Sequence, residues 1–278
     1  KPRFKVSSNI KASIIIPIRD KVELLKQLVS SIEEKSTWLN YEIIIIDNGS
    51  VLDCTLKYLR ELQLDNKFKV INDNSNFNWS KVNNLGATIA TGEVFVFLNN
   101  DTIVISENWL ESLLSWAQLP DVAVVGPQLL YEDDTLQHAG IVVGMGGWAD
   151  HIFKSEKQMH KVGPFVSPVI NRNVLAVTGA CQVIERTKFE MLGGFDENFE
   201  ICGSDVELCI RAHKEGYQNV YLADTVLYHL ESKSRSSFVP ENDFALSKLK
   251  YEPYRKEGVD PFFNPNLDMM SSTPTVKL

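Results

Sequence analysis

Short apolar runs that end abruptly in polar side chains restrict the fold of this sequence more than any other feature. In the clearest case, five apolar residues at 94–98 lead directly into Asn99, Asn100 and Asp101. A continuous apolar run of this length predicts a strand buried on both faces, as in a parallel sheet. Ligands of open α/β sheets bind beyond the carboxyl ends of the strands, so we expect these three polar side chains to face a ligand.

Helical patterns alternate with such runs through about the first hundred residues. The predicted elements are, in order, strand 12–16 stopped by Pro17, helix 22–32, strand 42–46, helix 52–62, strand 68–71, helix 80–90 and strand 94–98. Strands that alternate with helices form right-handed βαβ units. The predicted fold class is therefore α/β, with a mostly parallel central sheet flanked by helices.

The remainder of the chain has a less regular pattern. The predicted elements there are helix 108–117, strand 122–125 closed by Gly126 and Pro127, a strand pair within 173–185, and a helix that Ser204 or Asp205 caps. We interpret residues 144–161 as a mobile lid, with a merely variable surface connection as the alternative. Residues 264–278 are predicted to form a flexible tail.

Composition limits the classes of partner. The 278 residues are 44% hydrophobic and carry a net charge of −8 without a long block of Lys and Arg, which argues against nucleic acid as a partner. No apolar run approaches the roughly 18 residues that a bilayer span requires. Because Lys1 stands where a start Met is expected, we interpret the chain as a domain cut from a longer protein.

The cysteines predict neither a disulfide framework nor a zinc cluster. Cys54, Cys181, Cys202 and Cys209 are widely spaced and form no Cys-x-x-Cys pair. Free cysteines are among the most buried residue types, so we expect reduced thiols in the core.

Both common phosphate-binding loops are missing from the sequence. No Gly-x-Gly-x-x-Gly follows the first predicted strand, and no Gly-Lys-Ser/Thr opens a helix. A lone carboxylate beside neutral oxygens, as at Asp101, suits a hard divalent cation that water and phosphate complete. The alternative for residues 99–101 is a simple turn, since Asn and Asp dominate turns.

Seven short motifs in a fixed order resemble glycosyltransferase family 2 over about residues 11–231. They are Ile-Ile-Ile-Pro-Ile-Arg-Asp (14–20), Ile-Ile-Asp-Asn-Gly-Ser (45–50), Asn76-Phe77 with residues 81–86, Leu-Asn-Asn-Asp-Thr (98–102), Gly-Gly-Phe-Asp-Glu-Asn-Phe (193–199), Ser-Asp-Val-Glu-Leu-Cys-Ile-Arg (204–211) and Tyr-His (228–229). The Leu-Asn-Asn-Asp form is most similar to bacterial O-antigen, capsule and rhamnosyltransferase-like members. The resemblance implies a GT-A fold.

The resemblance also implies an organisation of the chain. We expect a Rossmann-like nucleotide-sugar-binding half at residues 11–127 and an acceptor-binding, catalytic half at 128–231. Residues 1–10 are then a linker, and residues 232–278 are a partly flexible C-terminal extension.

The resemblance assigns site residues by position. The residues that match nucleotide-binding positions are Pro17, Arg19, Asp47, Asn76, Asn83, Asn99, Asn100 and Asp101. Asp101 and His229 match the ligands of Mn²⁺ or Mg²⁺, and Asp205 matches the general base. The sequence departs from the family pattern at Asn99 and at Ser204, where acidic residues are usual.

These roles agree with the chemistry that transfer to a hydroxyl requires. A carboxylate such as Asp205 can remove the proton of the acceptor, and a cation on Asp101 and His229 can stabilise the departing diphosphate. The structural alternatives are a helix cap at Asp205 and a satisfied core histidine at His229.

Five further side chains lie outside these assignments. Trp148, His151 and Phe153 are expected near the acceptor, or else pack as an ordinary aromatic patch. His138 has no assigned role. Glu207 is expected to pair with Arg211 at helical i, i+4 spacing.

The function predicted by the resemblance is that of an inverting, metal-dependent hexosyl- or deoxyhexosyltransferase. It takes a nucleotide-diphosphate sugar as donor and a glycan or lipid-linked glycan as acceptor, in bacterial surface polysaccharide synthesis. We expect a cytoplasmic location at the inner face of the cell membrane, with peripheral membrane association and further domains in a longer chain. The alternative is a non-catalytic sugar-nucleotide or glycan-binding domain. A nucleotidyltransferase is disfavoured, because no glycine-rich loop follows the first strand.

Overall fold

A ten-stranded sheet runs through the middle of the molecule in the computed structural model, which describes residues 4–157, 167–230, 239–257 and 260–277. The strands are β1 (Ala12–Ile18), β2 (Tyr41–Asp47), β3 (Phe68–Asn72), β4 (Val94–Leu98), β5 (Thr102–Val104), β6 (Val122–Leu130), β7 (Leu136–His138), β8 (Ile141–Val143), β9 (Ala149–His151), β10 (Arg172–Val174), β11 (Cys181–Glu185) and β12 (Gln218–His229). The helices are α1 (Val22–Lys35), α2 (Asp53–Leu62), α3 (Trp79–Ile89), α4 (Trp109–Ala117), α5 (Arg186–Met191), α6 (Ser204–Lys214), α7 (Glu241–Lys250) and α8 (Glu252–Glu257), with a 3₁₀ turn at Met145–Gly147.

Most strands of the large sheet point the same way. Their order is β10-β12-β6-β11-β4-β1-β2-β3, with β5 on β12 and β7 on β6, while β8 and β9 form a separate hairpin. Strands β3, β2, β1 and β4 are mutually parallel, and β6 and β12 share their direction because the antiparallel β11 lies between β4 and β6. The predicted fold class is confirmed.

Two apolar layers enclose the sheet. Within β1, Ile14 and Ile16 belong to one buried cluster and Ile15 to the other, because successive side chains of a strand point to opposite faces. Helix α1 turns its buried residues, among them Leu25 and Leu28, toward the first cluster. A strand that is apolar on both faces must therefore have helices on both sides, as the sequence pattern predicted.

One buried carboxylate ties the parallel strands together. Glu42 of β2 accepts hydrogen bonds from Ser13 of β1 at 2.7 Å and from the Thr91 backbone N–H at 2.6 Å, and its other oxygen lies 2.9 Å from Lys69 Nζ of β3. Burial alone would raise the pKa of Glu42, but these partners outweigh it and lower the pKa to about 2.

Two predicted strand ends are wrong. Strand β1 continues through Pro17, which stands opposite Ile46 of β2. The pairing of β1 with β4 ends at Ile15. Pro17, which has no backbone N–H to donate, therefore lies beyond the last residue of β1 that pairs with β4. Strand β6 likewise runs through Gly126 and Pro127, and Gly126 lies so close to Val177 that a Cβ there would be 2.7 Å from its side chain.

The described part of the predicted lid is a folded element. Residues 144–157 contain the 3₁₀ turn and β9, and the Phe153 side chain is only 2% exposed. The predicted flexible tail packs on this segment: Gly146 N donates to Met269 O at 2.8 Å, and Phe153 N donates to Ser272 O at 2.7 Å. The described residues of both segments are therefore packed against each other, their mobility stays a prediction, and 158–161 lie outside the described part.

The ends of the chain also pack against the sheet and its helices. Phe4 contacts Trp116 edge to face, Val6 is buried, and Ser7 N donates to Gln118 Oε1 at 3.0 Å. Residues 4–7 of the stretch interpreted as a linker are thus in contact with α4 and the residue after it. The division of the chain into halves and extensions stays a prediction.

The four cysteines differ in their exposure. Cys181 and Cys209 are buried free thiols, as expected, but Cys54 is exposed and Cys202 is partly exposed, so the core-thiol prediction is wrong for this second pair. Among the described residues, no helix has both the length and the apolar character that a bilayer crossing requires.

Replacement of Glu42 by Gln is expected to destabilise the fold by about 3 kcal/mol at pH 7, because the pKa of Glu42 is held near 2 rather than near its ordinary value. This contribution is present above the pKa of the unfolded chain and is lost as the pH falls toward 2. Urea denaturation of both proteins between pH 7 and pH 3 measures it. Glu61→Gln, at an exposed ion pair, is the matched control. An equal effect of the two substitutions at pH 7 would contradict the role of Glu42.

Candidate active site

A pocket of about 280 Å³ lies at the carboxyl ends of β1 and β4. We call it the Trp79 pocket; its lining residues are Pro17, Ile18, Arg19, Phe77, Trp79, Asn99 and Asn100. The lining includes four of the predicted nucleotide-binding residues, Pro17, Arg19, Asn99 and Asn100. Phe77 belongs to the Asn76-Phe77 motif but has no predicted role, and no sequence pattern indicated Trp79.

Trp79 fixes the orientation of Asn99. The indole Nε1–H donates to Asn99 Oδ1 at 3.2 Å, and the Asn99 backbone N–H donates to Ala180 O at 3.0 Å. Because the amide oxygen is engaged, the NH₂ end of Asn99 is the part of the side chain left to contact a ligand. At this position, where an acid is usual, the pocket therefore presents a hydrogen-bond donor.

Asp20 joins the loops that follow β1 and β2. It has a left-handed φ of 54° and its Oδ1 accepts from Val51 N and Leu52 N, at 3.0 and 2.9 Å. In return, Asp20 N donates to Ser50 Oγ at 2.7 Å. This pairing sets the position of the preceding Arg19, whose guanidinium supplies positive charge to the Trp79 pocket.

The other four predicted nucleotide-binding residues are not among the described lining residues; Asp101 is described below with His229. Asp47 Oδ1 accepts from Ser50 N at 3.0 Å and closes the turn after β2. Asn76 is exposed on the loop before α3. Asn83 is fully buried in α3 and donates to Trp79 O at 2.8 Å. Their contact with a nucleotide stays a prediction.

Asp101 and His229 are brought together by strand pairing. Antiparallel β5 and β12 place His229 opposite Thr102, so the imidazole reaches the preceding residue and its Nε2 lies 3.3 Å from Asp101 Oδ1. Both side chains are buried, with 2% of Asp101 and 8% of His229 exposed. The two residues are far apart in the sequence, and only the resemblance of Tyr228-His229 to a family motif predicted that they share a site.

The Asp101–His229 pair fits a divalent cation as two of its ligands. Two ligand atoms that each lie about 2.1 Å from one ion are about 3.0 to 3.4 Å apart, and the observed 3.3 Å agrees with this. In the part of the chain that the structure describes, no group of three His, Cys, Asp or Glu side chains could hold a metal. The remaining ligands would therefore be water and an anionic substrate.

A second pocket, of about 220 Å³, contains Asp205. This Asp205 pocket is lined by Ile141, Trp148, Ala149, His151, Cys202, Gly203, Asp205, Val206, Val239, Asp243, Phe244, Ser247 and Tyr251. Trp148 and His151 thus line the same pocket as Asp205, and their place near an acceptor stays a prediction. Phe153 is buried and is not among the described lining residues.

Asp205 lies in the first turn of α6 and does not cap it. The N-cap is Gly203, at a left-handed φ of 105°, so the predicted capping role of Ser204 or Asp205 is wrong. Asp205 Oδ2 accepts from Gly179 N at 2.8 Å and Oδ1 accepts from Val206 N at 2.9 Å. Burial raises the pKa of Asp205 and these backbone donors oppose the shift, so the carboxylate is a stronger base than that of an ordinary Asp.

Gly179 lies between Trp79, which lines the first pocket, and Asp205, which lines the second. A Cβ at this residue would lie 2.8 Å from the Trp79 ring and 3.2 Å from Asp205 Cβ. The indole of one pocket and the carboxylate of the other therefore approach each other across a residue without a side chain. Only glycine allows this arrangement without displacing one of them.

Helix α7 supports the loop before Asp205. The buried Asp243 carboxylate accepts from Glu200 N, Ile201 N and Cys202 N, at 2.8, 2.8 and 3.0 Å. Tyr251 Oη donates to Gly203 O at 2.8 Å. The residues of α7 have no strong helical periodicity of apolar side chains, so the sequence pattern does not predict this contact. The predicted Glu207–Arg211 ion pair is confirmed, at 2.8 Å.

Comparison with known proteins identifies the family. The model of "Glycosyl transferase family 2" matches residues 13–191, which is more than half of the chain. The O-antigen biosynthesis protein RfbC of Myxococcus xanthus is 40% identical over 271 residues, covering 97% of this chain and 21% of that protein. The uncharacterized protein y4gI of Sinorhizobium fredii is 36% identical over 278 residues, covering 94% of this chain and 30% of that protein. The chain thus spans less than a third of the length of either relative.

Solved structures share the fold. GalNAc-T7, crystallised with UDP, GalNAc and Mn²⁺, has a TM-score of 0.70 at 18% identity, over 88% of this chain and 49% of that one. The mannosyltransferase PcManGT from Pyrobaculum calidifontis, in complex with GDP-Man and Mn²⁺, has a TM-score of 0.60 at 14% identity, over 92% of this chain and 73% of that one. Together with the family match, these likenesses show that the chain belongs to glycosyl transferase family 2 and has the GT-A fold, as its ordered motifs predicted.

Proposed function

We propose that this chain is a metal-dependent, inverting glycosyltransferase. It moves a hexosyl or deoxyhexosyl group from a nucleotide-diphosphate sugar to a hydroxyl of a glycan or lipid-linked acceptor. The observation that carries the proposal is the approach of Trp79, which lines one pocket, and Asp205, which lines the other, to the same residue, Gly179. Neighbouring pockets suit a donor and an acceptor whose reacting atoms must touch.

The donor occupies the Trp79 pocket in this proposal. Arg19 offers positive charge to the diphosphate, and the Asn99 NH₂ group donates to a ribose or phosphate oxygen. Family membership supports this assignment, and so do the solved neighbours that hold UDP or GDP-Man together with Mn²⁺. A Mn²⁺ or Mg²⁺ ion held by Asp101 and His229 would supply the charge that stabilises the departing diphosphate.

The acceptor occupies the Asp205 pocket. Asp205 takes the proton of the acceptor hydroxyl as that oxygen bonds to the anomeric carbon, while the bond from this carbon to the diphosphate oxygen breaks and its electron pair leaves with the diphosphate. The hydroxyl approaches from the side opposite the leaving group. One displacement of this kind inverts the anomeric configuration.

The cellular role in the proposal is bacterial surface polysaccharide synthesis. Its support is the 40% identity to an O-antigen biosynthesis protein over 97% of the chain. A glycan or lipid-linked glycan that grows at the inner face of the cell membrane is the corresponding acceptor. The chain would work there as a cytoplasmic domain with peripheral membrane association, next to further domains of a longer protein.

The rival function is a non-catalytic domain that binds a sugar nucleotide or a glycan. Asn99 favours it, because this amide replaces a usual acid and its oxygen is held by Trp79. Asp101, His229 and Asp205 favour catalysis, since a binding domain needs no buried base. Turnover measurements on matched variants distinguish the two functions.

Asp101→Asn is expected to abolish the dependence of nucleotide binding on Mn²⁺, because the substitution removes the anionic ligand of the cation site. Calorimetric titration with UDP, dTDP, GDP and CMP, each with and without Mn²⁺, measures this. One nucleotide should bind the unaltered chain more tightly with Mn²⁺. Asp53→Asn, on the exposed start of α2, is the control. An unchanged Mn²⁺ effect in Asp101→Asn would remove Asp101 from the cation site, and no binding of any nucleotide would contradict the donor pocket.

Asp205→Asn should leave nucleotide affinity unchanged and lower kcat by about 100- to 10,000-fold, the usual contribution of a positioned base. Since burial raises the pKa of Asp205, activity of the unaltered enzyme should fall with decreasing pH above the pKa of an ordinary Asp. This acid limb should be missing from the residual activity of the variant. Glu215→Gln, at the exposed end of α6, is the control. Turnover of Asp205→Asn at the normal rate would contradict the assignment.

Trp79→Phe should raise the KM for the donor roughly fivefold, because loss of a hydrogen bond worth about 1 kcal/mol leaves the Asn99 amide free to turn. Trp38→Phe removes an equivalent indole bond, to Ile10 O at 3.2 Å, outside both pockets. Steady-state kinetics of the two variants at saturating acceptor make the comparison. Equal effects would show that Trp79 acts through general stability alone.

A further inference from the structure

Two histidines face each other beside the Asp205 pocket. His138 ends β7 and His151 ends β9, and their Nδ1 atoms are 2.9 Å apart with the rings nearly perpendicular. At this distance one ring donates a proton to a hydrogen bond and the other accepts it. Since a neutral imidazole has one N–H, the bond determines which nitrogen of each ring carries the proton.

The surroundings of His138 decide the direction of this bond. The His138 side chain is fully buried, and its Nε2 has no hydrogen-bond partner among the described residues. If His138 accepted at Nδ1, its only N–H would be at Nε2 and would stay unpaired in the interior. Orphaned buried N–H groups are the rarer and costlier case, so His138 donates from Nδ1.

A buried cation keeps the His138 ring from taking a second proton. The Arg172 guanidinium stacks on Tyr221 at 4.9 Å, and the Tyr221 ring packs edge to face with His138 at 6.1 Å. Positive charge in this cluster disfavours the imidazolium form of His138. The ring therefore carries a single proton, and the choice of nitrogen rests on the hydrogen-bond argument above.

His151 must then carry its proton on Nε2. Its Nδ1 accepts from His138, so Nε2 is the ring nitrogen that can act as a donor. His151 and Asp205 both line the Asp205 pocket. The ring thus offers an N–H to whatever occupies the pocket.

Both rings are neutral near pH 7. Burial lowers the pKa of His138 well below its ordinary range and that of His151 to about 4. The charged groups that act on this pair are Asp150, Lys154, Arg172 and His229, of which only Asp150 raises the His151 pKa. In the direction argued above, the lone pair of His151 is engaged at Nδ1 by His138, and its Nε2–H is left as a hydrogen-bond donor.

The rest of the pocket selects for an uncharged ligand. Trp148 and Phe244 contact each other edge to face at 5.3 Å, and Phe244 is 45% exposed. The described lining contains Asp205 and Asp243 but no Lys or Arg. Carboxylates and aromatic faces suit the hydroxyl groups and the apolar face of a neutral sugar, and they repel a phosphate.

We propose that His151 binds the acceptor through Nε2–H, which donates to an oxygen of a neutral sugar residue, and that His138 is the positioning residue that fixes this tautomer. The proposal rests on the proposed transfer reaction. It assigns the acceptor end of the glycan, and not a lipid phosphate, to the Asp205 pocket. Asp205 and His151 then act on the same sugar, one as base and one as donor.

The tautomers can be measured without any substrate. Long-range ¹H–¹⁵N correlation spectra of the chain labelled with ¹⁵N-histidine, at pH 7.5, distinguish protonated from unprotonated ring nitrogens. We expect a proton on Nδ1 of His138 and on Nε2 of His151. The reverse assignment would overturn the proposal. Because no donor or acceptor is present, this result does not depend on whether the transfer reaction occurs.

Amide side chains test the two nitrogens separately. Gln places its NH₂ near the position of histidine Nε2, and Asn places it near Nδ1. His151→Gln and His138→Asn should therefore keep the acceptor KM within about threefold, whereas His151→Asn and His138→Gln should raise it roughly tenfold, as expected for loss of one hydrogen bond. The donor KM and the slow hydrolysis of donor without acceptor should not change. His213→Gln, on α6, is the control.

The acceptor probes are octyl glycosides of glucose, galactose, mannose and rhamnose. A normal acceptor KM in His151→Asn, or equal KM values in the Asn and Gln variants, would contradict the role of Nε2–H. If the unaltered chain binds nucleotide with Mn²⁺ but transfers to none of the glycosides, the neutral-sugar acceptor is contradicted. If it binds no nucleotide, the proposed function fails, and the tautomer measurement still stands by itself.

Discussion

The rest of the site depends on the close approach of Trp79 and Asp205 across Gly179. Trp79 holds the amide of Asn99 in one pocket, and the Gly179 N–H holds the carboxylate of Asp205 in the other. A Cβ at residue 179 would lie 2.8 Å from the indole, so no larger residue fits without movement. Rigid positioning of reacting groups is a major source of catalytic power, and in the proposed function this glycine sets how closely Trp79 and Asp205 approach each other.

The parallel sheet could be predicted from the sequence because its strands are apolar on both faces. Strand β4 has the predicted bounds, and the polar residues that follow it lie at the carboxyl edge as expected. The predicted bounds of β1 and β6 were wrong for local reasons. Pro17 is accommodated where the pairing of β1 with β4 has ended, and β6 runs through Gly126 because Val177 packs against the bare backbone.

The Asp205 pocket could not be predicted, since it is assembled from segments that are distant in the sequence. Asp243 of α7 accepts three backbone N–H groups of residues 200–202, yet nothing in the local pattern of α7 distinguishes it from an exposed polar helix. The segment after α8 lies on the hairpin of β8 and β9, so residues that resemble a lid and a tail stabilise each other. His138 and His151 meet only because that hairpin folds back.

The proposed base, Asp205, and the proposed sugar-nucleotide pocket lie on either side of Gly179, and the proposed transfer makes a stereochemical claim. The most direct test is the anomeric configuration of the first product, observed by ¹H NMR during transfer from an α-linked nucleotide sugar to an octyl glycoside. The account predicts a β-linked product, formed before any anomerisation could occur. An α-linked product would show retention and would contradict a single displacement assisted by Asp205.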